Sequence, residues 1–148
     1  MKPSSEASAH SRAAGRILVV DDEPHVLAVA VAILESQGFR AVGCPSGEEA
    51  LQILAQPCPD AERFRVLVLD ITLPGGMSGF DVLEIVKVSD PDLRVIACSG
   101  FFQGDARDLC QALGFVDILT KPYPIESLCA VVRRCLMRDR SPSSAVSS

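Results

Sequence analysis

The chain has 148 residues, 48% of them hydrophobic and 22% charged, enough apolar material for the core of one domain. A net charge of -5 and the lack of an interior Lys/Arg cluster argue against nucleic acid as a partner. The N-terminus has no signal-peptide core, and the longest uncharged apolar stretch, Val26 to Leu34, falls far short of the ~20 residues that cross a bilayer; the expectation is a cytoplasmic protein with no membrane partner.

Residues 1–15, rich in Ser and Ala, and residues 139–148, ending in Ser-Pro-Ser-Ser-Ala-Val-Ser-Ser, predict disordered tails around a folded unit at 16–138. Within it, short apolar runs alternate with helix-period segments. The first strand is Arg16 to Val20. A helix follows from Pro24 to Gln37, burying Val26, Leu27, Ala30, Ile33 and Leu34, with Pro24 in its first turn and Gly38 as its stop. The second strand, Arg40 to Cys44, leads into Ser46-Gly47-Glu48-Glu49, a capping-box pattern that opens a helix to about Ala55. The third strand, Arg65 to Leu69, delivers Asp70, and after a Pro-Gly-Gly loop a helix runs from near Ser78 to near Ser89. A fourth strand at Leu93 to Cys98, a helix from Asp105 to Leu113 stopped by Gly114, a fifth strand at Val116 to Thr120 and a last helix from Pro124 to Met137 complete the unit.

Five strands alternating with five helices require right-handed crossovers and a parallel sheet covered on both faces. The expected fold is therefore α/β, a doubly wound five-stranded parallel sheet of order 2-1-3-4-5, the flavodoxin-like arrangement. In that order strands 1 and 3 are neighbours and the chain reverses between them, so Asp21, Asp22 and Asp70 meet at the switch point. Three converging carboxylates repel unless a cation holds them, which implies a bound divalent metal. Ser99 follows strand 4 and Lys121 follows strand 5 on the same side; Lys121 is one of only three lysines among fourteen basic residues. Taken singly these residues have plain structural readings: the acidic pair as a helix cap, Asp70 as a turn residue before Pro74, Ser99 as a cap, Lys121 as a solvated side chain. Independent caps have no reason to fall at four strand ends around one switch point.

The six cysteines, Cys44, Cys58, Cys98, Cys110, Cys129 and Cys135, form no C-x-x-C pair and are expected to be buried or half-buried thiols. Neither His10 nor His25 has a partner at ligand spacing, which argues against zinc.

The segments Val-Val-Asp21-Asp22-Glu23-Pro24, Leu69-Asp70-Ile-Thr72-Leu-Pro74-Gly-Gly-Met-Ser-Gly79, Ser99-Gly100 and Lys121-Pro122-Tyr123, in that order, resemble the receiver domains of two-component response regulators over about residues 16 to 138. The resemblance implies transfer of a phosphoryl group from a phosphohistidine on a partner histidine kinase or phosphotransfer protein to Asp70. It implies Mg²⁺ (or Mn²⁺) ligated by Asp22, Asp70 and the backbone carbonyl of Thr72, with Asp21 holding a metal-bound water. Lys121 and Ser99 would contact the phosphoryl oxygens, and a downstream protein would dock on the face of the last two strands and helices. The protein would be a phosphoacceptor catalysing its own phosphorylation and dephosphorylation, not an enzyme in the usual sense. The same resemblance implies a cis Lys121-Pro122 bond.

Departures from the pattern carry their own expectations. Ile118 stands where receivers usually place an aromatic switch residue, and Tyr123 is expected to serve core packing, the alternative being partial substitution for that aromatic. The Pro74–Gly79 loop is one residue longer than in chemotaxis-type receivers and resembles that of receivers attached to hybrid histidine kinases. Phe101 occupies a position that in the family influences access of hydrolytic water, so the resemblance implies that it shields an acyl phosphate with Phe102; the alternative is one Phe in the hydrophobic seam and the other at a partner contact. Arg133, Arg134, Arg138 and Arg140 suggest a docking patch or favourable charge at a helix C-terminus. About ten residues after the last helix leave no room for an output module, giving a stand-alone receiver or one cut from a larger kinase.

Two other phosphate-handling folds fit less well. A haloacid dehalogenase-type phosphatase needs Asp-x-Asp after the first strand, where this chain has Asp21-Asp22, and a flavin carrier needs a Ser/Thr/Gly-rich loop there. The remaining alternative is a pseudo-receiver, a binding scaffold independent of phosphorylation, which Ile118 favours and the full set of polar residues opposes.

Overall fold

The computed structural model describes residues 15–73, 75–100 and 105–138. Strands β1 (Arg16–Val20), β2 (Arg40–Cys44), β3 (Phe64–Asp70), β4 (Arg94–Ser99) and β5 (Asp117–Thr120) alternate with helices α1 (Pro24–Ser36), α2 (Gly47–Ala55), α3 (Gly79–Ser89), α4 (Ala106–Leu113) and α5 (Ile125–Arg138). A 3-10 turn at Asp60–Glu62, which the sequence reading did not anticipate, precedes β3. The strands form one parallel sheet in the order β2-β1-β3-β4-β5, as expected.

Two-residue alternation divides the strand side chains between two apolar layers. Leu18 and Val20 of β1 and Leu67 and Leu69 of β3 pack with Val82, Leu83 and Val86 of α3. Their neighbours Ile17, Val19, Val66 and Val68 pack with Leu34 of α1 and Leu128 and Val132 of α5. Because both faces are covered, these strands read as unbroken apolar runs. Each fully buried Leu or Val contributes about 1.5–3 kcal/mol over exposure, so the central strands anchor the sheet.

Element ends differ from expectation by a residue or two. Both β3 and β4 run one residue further, taking Asp70 and Ser99 into the ladder, because Asp70 pairs with Cys98 and Ser99 with Thr120. Leu93 is left out of β4 because its amide closes a turn on the Asp90 carbonyl at 3.1 Å. Gly38, at φ +93°, follows α1 as expected. In α1 only Ala30 and Leu34 are buried; Val26 and Ile33 line an open groove beside Tyr123, and Leu27 crosses over Gly43. At α2 only half of the expected capping box forms among the described contacts, with Ser46 Oγ accepting from the Glu49 amide. The complete reciprocal box lies at α3, between Ser78 and Asp81. The expected tails fall outside the described residues apart from Gly15, as do Pro74, Phe101 and Phe102. No helix among the described residues is long and apolar enough to cross a membrane.

The cysteines follow expectation with one correction: five are buried, and Cys58, in the segment after α2, is exposed. Burial pushes the Cys44 thiol up to about 11 and Cys98 higher still, so both stay protonated at neutral pH.

Candidate functional site

At the C-terminal edge of the sheet, β1, β3, β4 and β5 each end on or beside a polar residue of the cluster. Buried apolar side chains hold β1 and β3 side by side, with Val20 opposite Leu69, so Asp21 and Asp22 emerge next to Asp70. The three carboxylates offer oxygens within 4.8 Å of one another. Asp21 and Asp70 are each only 3% exposed, while Asp22 faces solvent.

Lys121 completes the cluster from the far side. Its Nζ lies 2.6 Å from Asp21 Oδ2 and 2.8 Å from Asp70 Oδ2, so one ammonium spans two carboxylates. Burial works against the Lys121 charge, yet the hydrogen bonds to Asp21 and Asp70 outweigh it and hold the ammonium above its ordinary pKa. Asp70 shows the matching effect. Burial pushes its carboxyl up, but Lys121 and the amide and hydroxyl of Thr72 together leave it below the usual carboxylate value. It is therefore an anion at neutral pH.

The remaining oxygens are held by short local bonds. Asp21 Oδ1 accepts from the Glu23 amide at 2.9 Å. Asp70 Oδ1 accepts from Thr72 twice, from its amide at 2.8 Å and from its hydroxyl at 2.7 Å. Ser99 is buried at the end of β4. Main-chain bonds stitch these strand ends together: Asp21 N donates to Cys44 O at 3.2 Å, Ile71 N to Cys98 O at 3.0 Å and Lys121 N to Ser99 O at 2.9 Å. The Lys121-Pro122 bond is cis, as expected.

The donor set suits a hard divalent cation. Every side-chain donor is a carboxylate oxygen, the ligand type Mg²⁺ takes. Three carboxylates and one ammonium leave two negative charges, which a divalent ion balances. The cluster could thus hold such an ion.

Several neighbours escaped the sequence reading. The Thr72 hydroxyl is one, although a Thr two places after an Asp is a visible cue. Glu48, from the start of α2, accepts from the Met77 amide at 3.1 Å, so it tethers the loop in which Gly75 and Gly76 have φ of +63° and +40°. Asp117 opens β5 as a buried carboxylate. It takes Arg107 Nη1 at 3.1 Å and Arg134 Nη2 at 2.8 Å, with the Ile118 amide at 2.8 Å. Burial raises its pKa, and Arg134, the Ile118 amide and Arg107 outweigh burial to leave it lowered.

Two of the four arginines expected to form a docking patch or to favour a helix C-terminus make specific contacts. Arg134 is committed to Asp117, and Arg133 reaches Gln37 at 3.0 Å and lies over the Phe39 ring. The Arg138 side chain and Arg140 lie outside the described residues. Ile118 packs on the layer that contains α3, and Tyr123, half-buried, packs on the opposite layer as expected.

Comparison with known proteins gives a consistent result. The family described as "Response regulator receiver domain" matches residues 17–133. The nitrogen assimilation regulatory protein NtrX of Azorhizobium caulinodans is 31% identical over 121 residues, 81% of this chain and 26% of that protein. Sporulation initiation phosphotransferase F of Bacillus subtilis is 27% identical over 121 residues, 82% of this chain and 93% of that protein. The chain thus spans about a quarter of the first relative and nearly all of the second. The crystal structure of the receiver domain of NtrX from Brucella abortus superposes with a TM-score of 0.72 at 29% identity, covering 82% of this chain and 98% of that one.

Proposed function

The chain belongs to the response regulator receiver family, and on that premise we propose that Asp70 accepts a phosphoryl group from a phosphohistidine on a partner histidine kinase or phosphotransfer protein. The observation that carries this reading is the buried, ionised Asp70 carboxylate held at a strand end between an ammonium and two further carboxylates. The receiver unit is residues 16–138.

An Asp70 oxygen attacks phosphorus as the P–N bond to the donor imidazole breaks, and the bonding pair stays on that nitrogen. Lys121 meets the developing charge on the phosphoryl oxygens, and the Ser99 hydroxyl donates to one of them. Asp21, Asp22, Asp70 and the Thr72 carbonyl would hold Mg²⁺, or Mn²⁺ in its place, which when bound supplies positive charge beside the phosphoryl oxygens. The protein is then a phosphoacceptor carrying the catalytic groups for its own phosphorylation and dephosphorylation. Phosphorylation shifts the balance between two conformers through Ser99, and the difference is read on the face of α4, β5 and α5 by a downstream protein.

A phosphorylation-independent scaffold is favoured by one observation, Ile118 in the position of the usual aromatic switch. Intact mass after incubation with acetyl phosphate and Mg²⁺ separates the two readings. The wild type is expected to gain one phosphoryl group and Asp70→Asn none; no gain in the wild type supports the scaffold, and equal gain in both misplaces the acceptor.

A further inference from the structure

At the opposite end of the strands from Asp70, a cavity of about 430 Å³ opens where β1 and β3 begin. Volumes of this order hold small organic ligands. Its walls are mainly apolar, with Val42 of β2, Ile53 and Leu54 of α2 and the buried Phe64 of β3. Arg16, the first residue of β1, brings a cation to them.

Arg16 is held in place on two sides. Its guanidinium carbon sits 4.1 Å from the centre of the Phe64 ring, and its Nε donates to the Glu62 carbonyl at 2.7 Å. The side chain is 27% exposed. A guanidinium carries donors on all three nitrogens, and the two terminal nitrogens of Arg16 have no partner among the described residues. A fixed fork with unspent donors therefore meets an apolar wall.

Charge narrows the class of ligand. Arg63, which also lines the cavity, is matched by Asp90 at 2.9 Å. Glu62 lies 3.9 Å from Arg16 Nε but gives its closer pair, at 3.1 Å, to Arg40. The positive charge left over belongs to Arg16, in a chain whose net charge is -5. One charge suits a monoanion, whereas a phosphate dianion would be half-matched beside Asp90 and Glu62. A guanidinium also takes both oxygens of a carboxylate at once, in the plane of its fork.

We propose that this cavity binds a small carboxylate with an apolar body, its oxygens on the terminal nitrogens of Arg16 and its body against Ile53, Leu54 and Phe64. The site shares no residue with the carboxylate cluster at the other edge of the sheet. It gives the domain a second place at which a small molecule can act, independent of the reading of Asp70.

Naphthoate and its neutral isostere naphthamide separate charge from shape. Titrated into isotope-labelled wild type, naphthoate is expected to shift the backbone amides of Leu54, Gln56 and Phe64. It should bind about tenfold more tightly than naphthamide, the difference that one charge-assisted pair makes. Arg16→Gln should bind the two probes alike. Equal affinity of wild type for both probes overturns the proposal, as does a preference for naphthoate that survives in Arg16→Gln. Amide shifts centred on Lys121 place the carboxylate at the other edge of the sheet and overturn it too. If the Gln variant fails to fold, the two probes on wild type carry the test, and equal affinity there overturns the proposal.

Discussion

Lys121 places a single positive charge between Asp21 and Asp70, which would otherwise face each other across a gap that water barely enters. Removing one partner of a buried ion pair costs about 3–5 kcal/mol, and the one-fifth exposure of the lysine side chain moderates that figure. Lys121→Met is therefore expected to lower stability by about 2–3 kcal/mol at neutral pH without divalent metal. The deficit has a defined pH dependence. Wild-type Asp70 has a lowered pKa, so its contribution is present above the unfolded value and fades as pH falls through the folded one. The variant gains over the same range, because protonating one carboxylate relieves the repulsion. Urea unfolding of both proteins from pH 7 down to below the unfolded carboxylate value of ~3.9 should show the gap closing in that last acid stretch; a gap that widens would mean that the ammonium does not stabilise the pair.

At the scale of elements, α3 is set by how closely its first turn approaches the end of β3. A Cβ on Gly79 would come within 2.6 Å of Ile71 Cα and 2.9 Å of the Asp70 carbonyl, both backbone atoms that cannot swing aside. Alanine is the better helix former by about 1 kcal/mol, but forcing a methyl into a filled contact costs about 1–3 kcal/mol and would lever the helix off the site. Gly79→Ala should thus be destabilising, and a rise in thermal midpoint would refute the close approach. The strand-end residues were legible because Ile17–Val20 and Val66–Leu69 stop abruptly at carboxylates. Asp117 was not legible. It sits beside Val116 and Ile118 in a run that looks like ordinary strand, and its partners lie 10 and 17 residues away on helices whose placement only the folded sheet determines. The capping box was visible as a pattern at Ser46 and went unread at Ser78, where Asp replaces the more usual Glu.

Across the molecule, Asp117 ties together α4, β5 and α5, the three elements whose outer face is proposed to carry the output. The carboxylate is buried while both arginines are more than half exposed, so solvent screens the pairs and their joint contribution is about 1 kcal/mol. Asp117→Asn should show a deficit of that size in urea at pH 7. Since the folded pKa of Asp117 is lowered, its contribution exists above the unfolded value of ~3.9 and disappears as pH falls further, so wild type and variant should converge in acid. Equal stability at pH 7 would show that the clamp is idle. The main-chain bonds from Asp21 to Cys44, Ile71 to Cys98 and Lys121 to Ser99 have a different consequence. The residues that follow β1, β3 and β5 are each fastened to the end of the neighbouring strand, like adjacent teeth of a zip. The end of β3 is thereby joined to β4, and β4 to the end of β5, by main-chain links that do not involve the side chain at position 118.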